Sequence, residues 1–453
     1  MAETLSQEIS NTSSNSRIIY LDVLRGIAIL GILMINIPSF GMSTYFSGYN
    51  PVLDKAGSAN YYTWFWSFVF FNGKMRGIFT LLFGAGILLF MDKNNSEKNS
   101  LPRADAYFRR MLWLLFFGLV DSYLILWTGD ILYEYALCGM LLFAFRRMKP
   151  RGLIIIFSVF FVIMAYLSCQ GFMGSKEKRA NFLQTETLLK QGKKLTKEQL
   201  EQREEWQNVV DYTYPYPKKI MDDVNAKANE QIKIARSGYG SVMEGVWPLV
   251  TESHTIGFYV DCWESFSAIL LGMALYKMGL FSGKLKKKVY LWLIAIGIGI
   301  GLPLAYWVAW SNTISTNYIE FYIDNRWMSI NPFEQISRIM IMLGYIGLVM
   351  LIGVSGWLKG FQNIMAKVGR MAFTNYLMQS LICTFIFFGY GFGMFAKLQR
   401  YELLYVVLGV WIFQIIFSVM WLKFFTMGPL EWLWRSLIYW KRMPMKITRD
   451  ESK

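Results

Sequence analysis

The sequence predicts an all-α, polytopic membrane protein of about ten transmembrane helices, with both termini cytoplasmic, and three observations carry that expectation. Of its 453 residues, 54% are hydrophobic and 17% aromatic against only 17% charged, and the mean hydropathy is +0.31. Apolar runs of roughly 18 or more residues recur along the chain, each long enough for a helix to cross a hydrocarbon core of ~30 Å. Lys and Arg gather in short clusters at alternate ends of those runs, as the positive-inside rule requires of cytoplasmic loops.

Residues 1–16 are polar, lack a basic n-region and a small-residue cleavage site, and read as a disordered tail rather than a cleaved signal peptide. Runs at 18–40, 75–91, 109–127, 130–146 and 152–173 then give five spans in an N-terminal membrane unit over 17–173. Ahead of the second span, the apolar stretch from Tyr61 stops at Asn72-Gly73-Lys74. It suits an interfacial anchor or a re-entrant helix lining a cavity. Tyr61, Trp64, Trp66, Trp127, Trp310 and Trp434 match the aromatic belts that anchor helix ends.

Residues 174–255 are polar and read as an extracytoplasmic helical insert, because long loops translocate largely regardless of their charge. Within it, Thr196 and Gln199 have capping-box spacing, and Tyr214-Pro215-Tyr216-Pro217 breaks the helix. Five further spans, at 256–278, 288–310, 334–356, 368–390 and 403–425, fill 256–426, and 427–453 form a cytoplasmic tail. The clusters Arg109-Arg110, Arg146-Arg147, Lys286 to Lys288, Lys367 with Arg370, and Lys441-Arg442 share one side of this arrangement.

Those clusters account for the net charge of +15 without nucleic acid as a partner; the partner they imply is the lipid bilayer. No Walker A sequence, GxSxG elbow, HExxH or His/Cys ligand cluster occurs, so an ATP-driven pump, a serine hydrolase, a zinc enzyme and a metal site lack support. Cys138, Cys169, Cys262 and Cys383 read as small packing residues, with one Cys169–Cys262 disulfide compatible with the topology. The glycine-rich stretch 293–305 permits close helix approach, whether in a homodimer or inside one chain.

Polar residues inside the apolar runs are the candidates for function, since each costs at least ~2.5–3.5 kcal/mol at membrane depth unless partnered. Asp22 and Arg25 lie three apart on the first helix and pair or snorkel; Asn36 follows roughly 16 Å further along, near the same face. Asp121 falls inside the third span. Asp130 and Glu134, four apart, read either as a paired-carboxylate site or, for Asp130, as a helix cap. Asn375 and Gln379 share a face of the ninth span, for interhelical hydrogen bonds or substrate contact. His254, the one histidine, is either an incidental loop residue or a general base on the same side as Asn36.

The stretch LDVLRGIAILGILMINI at 21–37 resembles the YeiB-like family of bacterial membrane proteins, known by domain of unknown function 418. The likeness continues at 70–90, 109–142, 269–283, 368–380 and 428–439, covering nearly the whole chain except the tail and the insert. That family in turn resembles the transmembrane acyltransferase superfamily, which implies an acyltransferase-3-like bundle in the bacterial cytoplasmic membrane.

By that resemblance, acetyl-CoA or another acyl-CoA is the donor, bound from the cytoplasm near Asp22, Arg25, Arg109 and Arg110. An extracytoplasmic small molecule or glycan is the acceptor, with Asp130, Asn375 and Gln379 as candidate contacts. Polysaccharide O-acyltransferases place a catalytic histidine ten intervening residues after the first-helix arginine; here Asn36 occupies that position. The glucosaminide enzyme takes its histidine from a little further on, and residues 37–50 contain none. Three readings stay open: His254 as base, a carboxylate such as Glu134 or Asp121 as base, or a fold retained without acyl transfer. A transporter or exporter of a small amphipathic molecule, with Asp22, Asp121, Asp130 and Glu134 as binding or relay groups, is the rival from another class.

Overall fold

The computed structural model describes residues 2–50, 53–93, 103–211, 217–317, 319, 320, 323 and 331–447. Among these no β-strand occurs, and one isolated antiparallel bridge joins Phe425 to Lys446. The N-terminal half contains α1 (Ala2–Gly41), the one-turn α2 (Thr44–Ser47), α3 (Ala59–Phe70), α4 (Lys74–Lys93), α5 (Arg103–Tyr123), α6 (Leu132–Leu142) and α7 (Pro150–Lys190). The insert adds α8 (Lys197–Asp211), α9 (Lys218–Ala235) and α10 (Tyr239–Glu252). There follow α11 (Phe258–Lys277), α12 (Lys287–Ile296), α13 (Leu302–Asn317), α14 (Asn331–Ser355), α15 (Lys359–Arg370), α16 (Ala372–Phe387), α17 (Leu403–Trp421) and α18 (Pro429–Tyr439).

This is a multi-pass membrane architecture. Among the described residues six helical segments are long and apolar enough to cross a bilayer, or up to seven if Tyr239–Gly257 and Asp261–Lys277, bent by 63°, form one span. The stretches expected at 109–127, 130–146 and 368–390 lie on α5, α6 and α16, outside that set. The helix of α1 continues back to Ala2, where the sequence predicts a disordered tail.

Close helix crossings hold the bundle together where glycine removes the side chain. A Cβ on Gly369 of α15 would stand 1.8 Å from the Asp22 carbonyl oxygen, and one on Gly26 of α1 would stand 2.1 Å from that of Met365. Gly84 of α4 and Gly272 of α11 make an equivalent crossing, 2.2 and 2.0 Å from the carbonyls of Ile269 and Leu81. Such contacts are the small-residue packing expected where water supplies no hydrophobic drive between helices. Gly297, in the glycine-rich stretch, meets Gly344 of α14, so that face is used inside the chain. By contrast α7 turns Ile155, Val159, Val162 and Ile163 outward, as a lipid-facing helix does.

The insert is helical and α7 runs seventeen residues past the expected end of its span, from 173 to Lys190. Thr196 and Gln199 form the expected capping box: the Thr196 N–H donates to Gln199 Oε1 at 3.0 Å, and the Gln199 N–H donates to Thr196 Oγ1 at 3.3 Å. The Tyr214-Pro215-Tyr216 breaker lies outside the described residues. Helices α9 and α10 rest over the ends of α1, α5 and α16. Ser43 donates to Gln231 at 2.6 Å, Trp247 Nε1 to the Tyr123 carbonyl at 2.9 Å, and the Gly389 N–H to the Ala235 carbonyl at 2.8 Å.

Three local readings are corrected. Trp127 is no interfacial anchor: it is 3% exposed and stacks on Phe40 with ring centroids 3.7 Å apart. Cys169 and Cys262 form no disulfide; all four cysteines are free, and Cys138 Sγ lies 3.7 Å from the Cys262 carbonyl. The tail is folded through α18, whose Glu431 accepts hydrogen bonds from the Phe373 and Thr374 N–H groups at 2.8 and 3.0 Å, capping α16.

Candidate functional site

Three polar groupings lie within the bundle. The first is at the end where the basic loops gather. Arg25 pairs with Asp22 at 3.0 Å, as their i,i+3 spacing on α1 allows. Arg110 of α5 lies over the rings of Phe90 and Trp434, 5.0 Å from each centroid, and its buried Nε has no hydrogen-bond partner. Arg25 and Arg435 are within electrostatic range of Arg110, and Arg370 is within range of Asp22. Arg109, one position round the helix, instead pairs with Asp105 at 3.5 Å.

The second grouping joins two carboxyls that the sequence separates. After Tyr123 the chain leaves α5, turns through Leu126 at a left-handed φ of 68°, and returns to Asp130 before α6 begins. Asp121 is fully buried, and its Oδ2 accepts from the Ser380 hydroxyl at 3.1 Å. Asp130 Oδ1 accepts from the Tyr376 hydroxyl at 3.2 Å and Oδ2 from the Tyr133 N–H at 2.9 Å. The Tyr376 oxygen in turn accepts from the Ile131 N–H at 3.0 Å. The Asp121 and Asp130 carboxyls lie within interaction range of each other, and among the described residues Asp121 Oδ1 has no hydrogen-bond partner.

Of the two alternatives for Asp130, the pair with Glu134 does not form, whereas its bond from the Tyr133 N–H in the first turn of α6 agrees with the capping one. Asp130 lies ahead of the helix, so the i,i+4 geometry never forms. Glu134 belongs to a third grouping, beside Ser265 and Arg76. There Arg76 pairs with Glu264 at 3.3 Å, Arg338 with Glu264 at 2.7 Å and with Glu334 at 3.3 Å, and Asn72 donates to Glu334 at 3.5 Å.

Asn36 and His254 do not meet. The Asn36 amide makes no side-chain hydrogen bond among the described residues. His254 lies in a π-helical turn, Ser253–Gly257, stacked on Tyr133 with centroids 4.0 Å apart and with Nε2 3.4 Å from Ser122 Oγ. Asn375 and Gln379 are engaged between helices. Asn375 donates to the Val368 carbonyl and to Ser418, both at 3.1 Å, while Gln379 donates to the Ile29 carbonyl and to Gln414, both at 3.0 Å. Among the described residues no three His, Cys, Asp or Glu side chains converge as a metal site.

Sequence reasoning missed Arg76, Tyr376, Ser380 and the Asp54–Arg400 pair. Arg76 was visible as a charge at the mouth of an apolar run. Tyr376 and Ser380, four apart beside Gln379, were visible only as one more polar helix face.

The family described as Protein of unknown function (DUF418) matches residues 275–441. YxaH of Bacillus subtilis (strain 168) is 29% identical over 96% of this chain and 97% of its own length. YeiB of Escherichia coli (strain K12) is 30% identical over 93% of this chain and 96% of its own length. Both are described as uncharacterized proteins. No solved structure matches the chain. The relatives align with nearly the whole length, and the chain belongs to the YeiB-like, DUF418-containing family.

Proposed function

We propose that this protein transfers an acyl group from cytoplasmic acyl-CoA to an acceptor on the far side of the bacterial cytoplasmic membrane. The observation that carries the reading is the surplus of cation around Arg110, a half-buried residue whose Nε is buried and has no hydrogen-bond partner among the described residues, near Arg25 and Arg435. Asp22 is the carboxylate paired within it. An arginine with a buried, uncommitted donor fits a phosphate-bearing ligand, because guanidinium matches phosphate geometry.

When bound, acyl-CoA supplies an activated acyl thioester. Arg110 and Arg25 hold phosphate oxygens, and Asp22 fixes the direction of Arg25. Asn36, whose amide is uncommitted, donates to the thioester carbonyl as charge develops on its oxygen. Asp130, beside Asp121, would take the proton of the acceptor hydroxyl or amine as the new C–O or C–N bond forms and the thioester C–S bond breaks, the proton then going to the departing CoA thiolate. Tyr376 and Ser380 keep the two carboxyls in place.

Calorimetric titration of acetyl-CoA and octanoyl-CoA into the purified full-length protein tests this. Saturable binding that weakens at least about tenfold in Arg110→Met and in Arg25→Met is expected, since charge-assisted hydrogen bonds are worth ~1.5–3 kcal/mol. Arg151→Met, an exposed change at the same end, leaves it unaltered. A folded protein that binds neither ligand rules the reading out. Transport of a small amphipathic molecule is the second reading, favoured by the chain Asn72–Glu334–Arg338–Glu264–Arg76, which suits proton coupling. Substrate flux that moves protons across proteoliposomes, without acyl-CoA, is its signature.

A further inference from the structure

A cavity of about 430 Å³ lies between the C-terminal half of α1, the loop that follows it, and α3. Helix α3 presents two rails to it. Thr63 and Ser67, four apart, form a hydroxyl rail; Trp64 and Phe68, one position round, form an aromatic one. Trp64 packs on Tyr49 of the loop with centroids 4.6 Å apart and on Phe68 at 5.6 Å.

The hydrogen-bonding groups here are under-used. Neither the Thr63 nor the Ser67 hydroxyl makes a hydrogen bond among the described residues. On the facing wall Pro38 lies inside α1 and has no N–H, so the Met34 carbonyl on the lining turn lacks its helical donor. Charge, by contrast, is fully committed. Arg400 is the charged lining residue, and its Nε and Nη2 donate to Asp54 at 2.8 and 3.0 Å. Its remaining bonds go to the carbonyls of Ser47, Phe46 and Gly48 at 3.0, 3.1 and 2.6 Å.

We propose that this cavity binds one uncharged molecule with an apolar body and hydroxyl or amide groups along one edge. Tyr49, Trp64 and Phe68 receive the apolar body; Thr63, Ser67 and the Met34 carbonyl receive the polar edge. An ionic ligand would enter a partly buried site whose described lining residues offer no uncommitted charge, Lys74 behind Phe68 donating to the Phe68 carbonyl, at a cost of several kcal/mol. A wholly apolar ligand would leave the hydroxyls and the carbonyl unpaired, which is also unfavourable. The inference goes beyond acyl transfer and holds whether the occupant is acylated, carried or retained.

The test uses the full-length protein in phosphatidylcholine nanodiscs and three probes with one eight-carbon chain: 1-monocaprylin, octanoate and octyltrimethylammonium. Titration followed by native mass spectrometry should show one monocaprylin per protein. That binding should weaken at least about tenfold in Ser67→Leu, which fills the cavity, and a few-fold in Thr63→Ala/Ser67→Ala, which removes only the hydroxyls. The two charged probes should show no binding that Ser67→Leu removes. If Ser67→Leu fails to fold, the double alanine variant carries the test alone. Absent monocaprylin binding, binding indifferent to these substitutions, or tighter cavity-dependent binding of a charged probe overturns the proposal.

Discussion

Arg400 and Asp54 are 4% and 0% exposed, so each is the counter-charge on which the other's burial depends. Arg400→Met strands a buried carboxylate and is expected to cost about 3–5 kcal/mol, read as a lowered thermal midpoint of the purified protein. Burial pushes the Asp54 carboxyl above the usual carboxylate range, against the opposing pull of Arg400. A raised native value means the folded protein holds this proton to higher pH than the unfolded chain. The group therefore favours folding at low pH, and that contribution is lost as pH rises through the native value. Without Arg400 the upward shift is larger, so the deficit of Arg400→Met should grow as pH rises above the usual carboxylate range. A pH-independent deficit would show that Asp54 stays solvated. Other single residues were harder to read. Asp130 and Glu134 looked paired because helical spacing was carried back to 130, whereas the left-handed turn at Leu126 ends one helix and aims Asp130 at Asp121.

Among the elements, α8 owes its start to a signal written in four consecutive residues. Thr196→Ala removes the acceptor of the Gln199 N–H and should cost about 1 kcal/mol, seen as faster amide exchange in the first turn of α8 with little change elsewhere. Exchange rates that do not move there would show that packing, not the cap, holds the helix start. The α1–α15 crossing gives a sharper outcome. Gly369→Ala places a methyl against the Asp22 carbonyl, where backbone must shift, so the thermal midpoint should fall. Gly171→Ala, with open space around it, should match or exceed the wild type because alanine favours helix by ~1 kcal/mol. Equal behaviour of the two would mean that the crossing is loose. Spans of α1, α4, α11 and α17 were legible from apolar length alone. The separate helix α15 was not, because Lys359–Arg370 falls mostly in the polar stretch between the expected spans 334–356 and 368–390, and only the left-handed Leu358 and the break at Met371 set it apart as a helix of its own.

For the whole molecule, the distribution of charge predicts orientation. Cysteine introduced as Lys194→Cys in the insert should react with an impermeant maleimide in intact cells, and Lys441→Cys only after permeabilisation. The opposite pattern would invert the topology and move Arg110 to the outer side, removing the basis of the donor site. In the bundle as a whole, the arginines around Asp22 lie toward the basic-loop end and the Asp121–Asp130 pair lies where α5 returns into α6, an asymmetry suited to moving a group from one side to the other.

The sequence by itself determined the all-helical membrane class, the main apolar helices, the capping box of the insert and those buried charges that fall inside apolar runs, such as Asp22 and Asp121. Those follow from local quantities: apolar length against bilayer thickness, residue type, and spacing along one helix. The buried Asp54 and Arg400, which lie outside such runs, carry no local signal. Only the tertiary structure decided the partners of those charges. Asp121 approaches Asp130 across a turn, Arg400 reaches Asp54 from 346 residues away, and a cavity opens between α3 and the C-terminal half of α1. Each depends on how helices cross and chains turn, which no pattern within a single helix encodes.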